Sequence, residues 1–220
     1  MSPVLFYCYD AWCGWCYGFS PVIKRIADEY GEILDIEVLS GGMILAERPA
    51  HIGQIAKAVQ QAYPVVESTT GIRFGKDFLW HVFHPEESDW FPDSEKPAIA
   101  LCIFKEYYPR LQVQFAGELQ YALNSEGRDL TDDEAYRHLL EKYSIQPEAF
   151  YSKLRSDEYK EKAHYEFALC RQLQVTGYPC VLLQETESRF HLLARGFTPY
   201  EMLKKRLDEL LSSLDSTASE

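Results

Sequence analysis

A chain of 220 residues, 46% apolar and 25% charged with a formal net charge of −12, is long enough to bury a core as one domain carrying an insertion. The acidity argues against a nucleic-acid partner, because phosphate contacts need clustered Lys and Arg and no basic block interrupts the pattern. No run approaches the ~18 apolar residues of a membrane span, and the opening "MSPVLFYCYD" has no basic n-region, long apolar h-region or small-residue cleavage site, so the sequence predicts an unexported, cytoplasmic protein with no membrane partner.

The run "PVLFYCY" at 3–9 predicts a buried strand, apolar on both faces and without turn residues. After "CGWCYGFS", helical spacing appears at Val22, Ile23, Ile26, Ala27 and Tyr30, and Gly31 is placed to end the helix. The segment "ILDIEVLSGG" then alternates as a strand and closes at Gly41-Gly42. This is a βαβ unit.

From 45 to 174 the pattern is mainly helical: "PAHIGQIAKAVQQAY", "SEKPAIALCIFKEYY", "VQFAGELQYALN", "TDDEAYRHLLEKY", "PEAFYSKL" and "SDEYKEKAHYEFALCRQLQ". Thr131 with Glu134 has the form of a capping box, Ser156 is a good N-cap, and Pro147 suits a first helical turn. The aromatic stretch "GKDFLWHVFHPEESDWFPD" reads as a loop. Beyond it "CVLLQ" and "FHLLAR" are short strands around the connection "ETES", and "TPYEMLKKRLDELLSSL" is an amphipathic closing helix capped by Thr198, with Pro199 first. The expected architecture is α/β: a discontinuous unit of 1–44 and 175–214, a helical insertion of 45–174 and a disordered tail of 215–220.

The pair Cys13 and Cys16 in "DAWCGWCYGF" admits three readings: a structural disulfide, half a metal site, or a nucleophile with its resolving partner. Six cysteines in a chain this long are not a disulfide scaffold, and in a reducing compartment a close pair is catalytic or metal-binding more often than structural. Cys8-x4-Cys13-x2-Cys16 has part of a plant-type iron–sulfur spacing, but Cys8 lies in a buried strand and no fourth cysteine follows in a loop. Zinc needs four ligands, and a second CxxC is missing from the sequence. The redox dithiol is the reading favoured.

The order β-α-β, helices, β-β-α resembles the thioredoxin plan. In that plan Cys13 falls at the N-terminus of the first helix, where unpaired amides and the helix dipole favour a thiolate, the attacking species. Cys16, one turn on, is then in reach to attack a mixed disulfide on Cys13. Gly14 allows the tight turn and Trp15 packs on it. "WCGWCYGFSPVIKRIADEY" is similar to the active-site helix of thioredoxins, including the kinking Pro21, and "QVTGYPCVLL" places Pro179 where that fold carries a cis-proline facing the cysteines. With the helical insertion, an "EGRDL" stretch and the "VTGYP" signature, the chain resembles the DsbA-like family, in particular its unexported FrnE-like members.

The resemblance implies a thiol–disulfide oxidoreductase, a disulfide reductase or isomerase, with Cys13 as nucleophile, Cys16 as resolving cysteine, and Tyr178 with Pro179 shaping a substrate groove. Its substrate would be a disulfide-bearing protein or a small thiol such as glutathione, with no cofactor beyond the dithiol and no resident metal. Gly-Trp stands where the exported oxidants carry Pro-His, so their oxidising potential does not carry over. Tyr178 is bulkier than the Val or Thr usual before that proline. The competing class is a glutathione-dependent isomerase or transferase on the same plan, which has no need of Cys16; a non-enzymatic thiol chaperone is the third.

Around the pair, Asp10 reads either as a proton relay for Cys16 or as a solvated strand-end carboxylate. Trp12, Trp15, Tyr17 and Phe19 have the best claim to substrate contact. Phe78, Trp80, Phe83, Trp90 and Phe91 are expected mostly in the core, with one or two over the active site. His81 and His84 read as packing or surface residues, without a carboxylate at metal spacing. Cys8, Cys102 and Cys170 read as small core hydrophobes; Cys180, next to Pro179, could lie close to the site, but a core role is the favoured reading.

Overall fold

The computed structural model describes residues 3–45 and 50–217. Strand β1 (Val4–Tyr9) leads into helix α1 (Gly14–Tyr30) and β2 (Asp35–Ser40). A helical block follows, with α2 (Gly53–Thr70), α3 (Lys76–Phe83), α4 (Glu95–Tyr107), α5 (Gln112–Asn124), α6 (Arg137–Lys142) and α7 (Pro147–Leu154). Helix α8 (Asp157–Gln172) returns the chain to β3 (Cys180–Thr186), β4 (Arg189–Arg195) and α9 (Tyr200–Thr217). Pro49, where the first inserted helix was expected to begin, lies outside the described residues.

The sheet order is β2-β1-β3-β4, with β1 parallel to β2 and antiparallel to β3. Strand alternation sends Leu5, Tyr7 and Tyr9 into one core with Phe19, Ile23 and Ile26 of α1. Cys8 points the other way, into a smaller core with Leu39, Cys170, Cys180 and Leu182. Each such buried apolar side chain contributes ~1.5–3 kcal/mol, so the two faces together fix where β1 ends and the Cys13 loop begins. Cys170 comes from α8, so that helix, expected as the end of the insertion, forms the second layer on the sheet.

Four local expectations are corrected. Helix α3 lies in the stretch read as a loop: Phe78 and Val82, four residues apart, are buried, while Trp80 and Phe83 stay 42% and 47% exposed, so aromatics on both faces mask its amphipathic pattern. The turn after residue 131 is capped by Asp132, whose side chain accepts the Glu134 amide at 3.0 Å, because Asp129 already holds the Thr131 amide and hydroxyl at 2.9 and 2.8 Å. Ser156 precedes α8, but its hydroxyl donates to the Lys153 carbonyl at 2.8 Å instead of capping. Helix α9 starts at Tyr200, after Pro199, and continues to Thr217, three residues into the stretch expected to be tail; 218–220 lie outside the described residues.

Candidate active site

Cys13 is the N-cap of α1, with extended backbone (φ −82°, ψ 106°). Its amide donates to the Asp10 carbonyl at 3.1 Å, its carbonyl accepts the Tyr17 amide at 3.0 Å, and its sulfur accepts the Cys16 amide at 3.3 Å. The sulfur thus satisfies one of the orphan donors of the helix start, at the end of the dipole that favours an anion. All six cysteines are free thiols, and Cys13 keeps 6% exposure while Cys16 has none. Burial, reinforced by the Cys13 sulfur, pushes the Cys16 thiol well above its ordinary range. Cys13 is therefore the outer sulfur and Cys16 the inner one. Pro21 lies inside α1 and has no amide to give the Tyr17 carbonyl; the Ser20 hydroxyl donates there instead, at 2.8 Å.

The Tyr178–Pro179 bond is cis, and the Tyr178 carbonyl faces the Cys13 sulfur at 3.6 Å. The Tyr178 ring turns the other way. Its hydroxyl donates to the Gly41 carbonyl at 3.0 Å, and a Cβ on Gly41 would lie 2.1 Å from the ring. The bulk of Tyr178 is thus stowed against the end of β2, and what it presents to Cys13 is main chain. Only glycine at 41 allows this approach.

Asp10 is buried, not solvated. Oδ1 accepts the Trp12 amide at 3.0 Å and the Ser94 hydroxyl at 2.8 Å, and Oδ2 accepts the Met43 amide at 2.7 Å. Burial raises its carboxyl above the ordinary value, against the lowering effect of those donors. Gln120 donates to the Asp10 carbonyl at 3.2 Å, and the Trp12 indole donates to the Asp93 carbonyl at 2.9 Å. Ser94, Met43 and Gln120 were not foreseen: each is polar or flexible in an unremarkable stretch, and only the fold brings it to the loop.

Of the aromatics near the pair, Phe19 is core, and Trp12 and Tyr17 are buried, the last with its hydroxyl bonded to the Arg73 carbonyl at 3.1 Å. Trp12 packs inward ahead of α1 and Tyr17 and Phe19 on it, while Trp15 stays half-buried at the edge of the core. Beside Gly14 and Trp15 lies an apolar cleft of about 90 Å³, lined among others by Ile55, Tyr63, Phe74 and Phe78. Trp90 is buried, whereas Phe91, like Trp80 and Phe83, remains exposed. His81 stacks on Trp90 at 3.9 Å and bonds Ser88 at 2.8 Å, as a packing residue does. His84 does have carboxylates near it: Glu86 and Glu87 offer atoms within 4.8 Å of its ring, all three residues exposed. Cys8, Cys102 and Cys170 are buried as expected. Cys180 follows Pro179 but sits on the α8 face of the sheet, its thiol pushed up to about 11 by burial.

Residues 4–208 match the DSBA-like thioredoxin domain family. The chain belongs to that family. A protein from Nitrosomonas europaea proposed to be a protein disulfide isomerase superposes with a TM-score of 0.83 at 24% identity, covering 97% of this chain and 99% of its own. The cytosolic disulfide reductase DsbM from Pseudomonas aeruginosa gives 0.72 at 25% identity over 95% and 98% of the two chains, and has also been solved with glutathione. Among sequence relatives, the ClpXP adapter protein SpxH of Shouchella clausii is 18% identical over 96% of this chain and 68% of its own length. The fold is that of the DsbA-like thiol–disulfide oxidoreductases. No helix among the described residues is long and apolar enough to cross a membrane.

Proposed function

We propose that this protein is a thiol–disulfide oxidoreductase of the reductase or isomerase kind, using Cys13-Gly14-Trp15-Cys16 as its dithiol. The observation that carries the reading is the Cys13 sulfur, seated between the Cys16 amide at 3.3 Å and the Tyr178 carbonyl at 3.6 Å. In the reductive direction the Cys13 thiolate attacks a substrate disulfide, forms a mixed disulfide and releases one thiol. Cys16 loses its proton and attacks the Cys13 sulfur, which forms the Cys13–Cys16 disulfide and releases the second thiol. Two electrons pass to the substrate, and two equivalents of a thiol such as glutathione restore the dithiol. Isomerisation uses the first step and returns the substrate thiol to a different sulfur.

Asp10, whose buried carboxyl lies close enough to Cys16 to act on it electrostatically, takes up the Cys16 proton in this scheme. Tyr178 and Pro179 supply the main-chain wall of the groove, and the cleft beside Trp15 takes an apolar side chain of a protein substrate. A cytoplasmic setting and the FrnE-like placement belong to the same proposal. They rest on the DsbM likeness and on the "EGRDL" and "VTGYP" stretches respectively.

The test is a glutathione redox titration followed by tryptophan fluorescence, since Trp12 adjoins the pair and Trp15 lies within it. Wild type gives a reversible two-electron transition. Cys16→Ser gives none and accumulates one glutathionyl group on Cys13 by mass spectrometry. A wild-type chain without a Cys16-dependent transition would overturn the dithiol reading and favour a glutathione-dependent isomerase or transferase.

A further inference from the structure

The inner sulfur has a chemical problem that the outer one lacks. Cys16 must become a thiolate to resolve the mixed disulfide, yet it is wholly buried. The titratable groups that act on it are Cys13 at the cap of α1, Tyr7 and Tyr9 on β1, Asp10 beyond that strand and Tyr178 before β3. None is basic, and each would oppose a Cys16 thiolate when ionised. What remains to hold the anion is hydrogen-bond donation.

Two donors face the sulfur. One is the Asp10 amide. The other is the Tyr7 hydroxyl. Tyr7 is 1% exposed, its ring packed on Phe19 at 5.9 Å and Tyr9 at 5.6 Å, beneath the first turns of α1. Its hydroxyl is buried without a hydrogen-bond partner, and the Cys16 thiol is among the groups that act on it electrostatically. A buried phenol without a partner costs stability, and here it shares a core with the one sulfur that must acquire charge. Burial and the neighbouring sulfurs keep this phenol protonated far beyond neutral pH, so it remains a donor throughout turnover.

We infer that Tyr7 is a catalytic residue of the resolving step: its hydroxyl donates a hydrogen bond to the Cys16 thiolate as that sulfur attacks the Cys13 mixed disulfide. The inference rests on the thiol–disulfide reading above. Tyr7 keeps its own proton; the Cys16 proton leaves by the Asp10 route, the sulfur–sulfur bond to the substrate breaks, and the bond between Cys13 and Cys16 forms.

Ellman's reagent separates the two steps, because attack by Cys13 releases one coloured thiolate and resolution by Cys16 releases a second. Stopped-flow traces of wild type and Tyr7→Phe are compared from acid to alkaline pH, with Cys16→Ser defining the first phase. In Tyr7→Phe the first phase is expected to be unchanged. The second is expected to be about tenfold slower at neutral pH, with its pH profile about one unit more alkaline, the effect of losing one hydrogen bond to a charged sulfur.

Replacing Tyr7 by 3-fluorotyrosine, which keeps ring and hydroxyl but donates more strongly, is expected to move the second phase in the opposite sense. It supplies the answer even where Tyr7→Phe fails to fold. Tyr9→Phe removes a neighbouring buried hydroxyl and is expected to leave the profile in place. An unshifted profile in Tyr7→Phe and in the fluorinated protein overturns the role of Tyr7, as does an equal shift in Tyr9→Phe. A wild-type protein with no Cys16-dependent second phase overturns the oxidoreductase reading instead.

Discussion

Gly41→Ala tests whether the groove depends on the stowed Tyr178 ring. A Cβ on Gly41 would lie 2.1 Å from Cζ and 2.4 Å from both Cε1 and the hydroxyl oxygen of Tyr178, so the ring must leave its seat. Leaving forfeits the 3.0 Å bond from the Tyr178 hydroxyl to the Gly41 carbonyl, worth about 1 kcal/mol. Forcing the neighbours apart adds ~1–3 kcal/mol. The total of about 2–4 kcal/mol corresponds to a fall in Tm on the order of 10 °C for a domain of this size. Because the carbonyl that faces Cys13 belongs to the same residue, turnover of a disulfide-bonded peptide should fall with it. Attack of Cys13 on a small aromatic disulfide should be kept, since that reagent needs no main-chain partner. Circular dichroism melts and the two substrates measured side by side give the answer. Adding Tyr178→Ala to Gly41→Ala should recover part of the lost Tm. A variant with wild-type Tm and peptide turnover, or a double variant no better than the single, refutes the steric argument.

Away from the site, Lys105 donates to Glu37 and Glu166 at 2.7 Å each, and the Glu166 carboxylate also holds the Ser40 amide at the end of β2. Lys105→Met strands a buried carboxylate, for an expected loss of about 3–5 kcal/mol in urea unfolding; adding Glu166→Gln should restore part of it, and a neutral single variant would refute the pairing. Glu106 bonds Lys153 and Lys162 at 2.7 Å, and those bonds hold its carboxyl at about 2. The folded value lies below the unfolded one, so this stabilisation is complete above about 4.5 and lost as pH falls toward 2. The group is well exposed, so Glu106→Gln should cost under about 1 kcal/mol at pH 7. Its acid-unfolding curve should approach wild type progressively from about pH 4.5 downward and converge near pH 2; a gap undiminished there would contradict the linkage.

The parts of the molecule legible in the sequence are those written locally. Alternation and 3.6-residue spacing place β1, α1, β2 and the closing hairpin. The spacing of Cys13 and Cys16, with Pro21 and Pro179, marks the candidate site. What the sequence hides is set by contacts between distant segments. Tyr178 looks too large for its position until Gly41 is seen beneath it. Phe19 and Tyr17 look available for a substrate until α1 packs them inward. Asp10 reads equally as a relay or a solvated carboxylate until Met43, from the loop after β2, and Ser94, from the helical block, close over it. Tyr7 gives a fainter signal: it is the one strand residue that alternation places on the α1 face one step before Tyr9, but nothing in composition says that its hydroxyl lacks a partner. The cap before Glu134 is an exception, hidden by a local competitor: Asp129, two residues away, claims Thr131 before Thr131 can cap anything.

The bond partner that Cys13 meets at Tyr178 is separated from it by 165 positions in the chain. At about 5–20 residues per second on the ribosome, roughly 8–33 s pass between synthesis of the outer thiol and of the carbonyl that faces it. During that interval the nascent chain carries a reactive pair without its wall, and the carbonyl that will close the groove arrives only once the whole helical block has been made. On the proposed function, the dithiol would therefore be chemically competent before it is selective. Any oxidant or client that meets it early meets an unguarded thiol, so faithful production of this protein depends on a surrounding thiol pool reducing enough to keep Cys13 and Cys16 free until Tyr178 is in place.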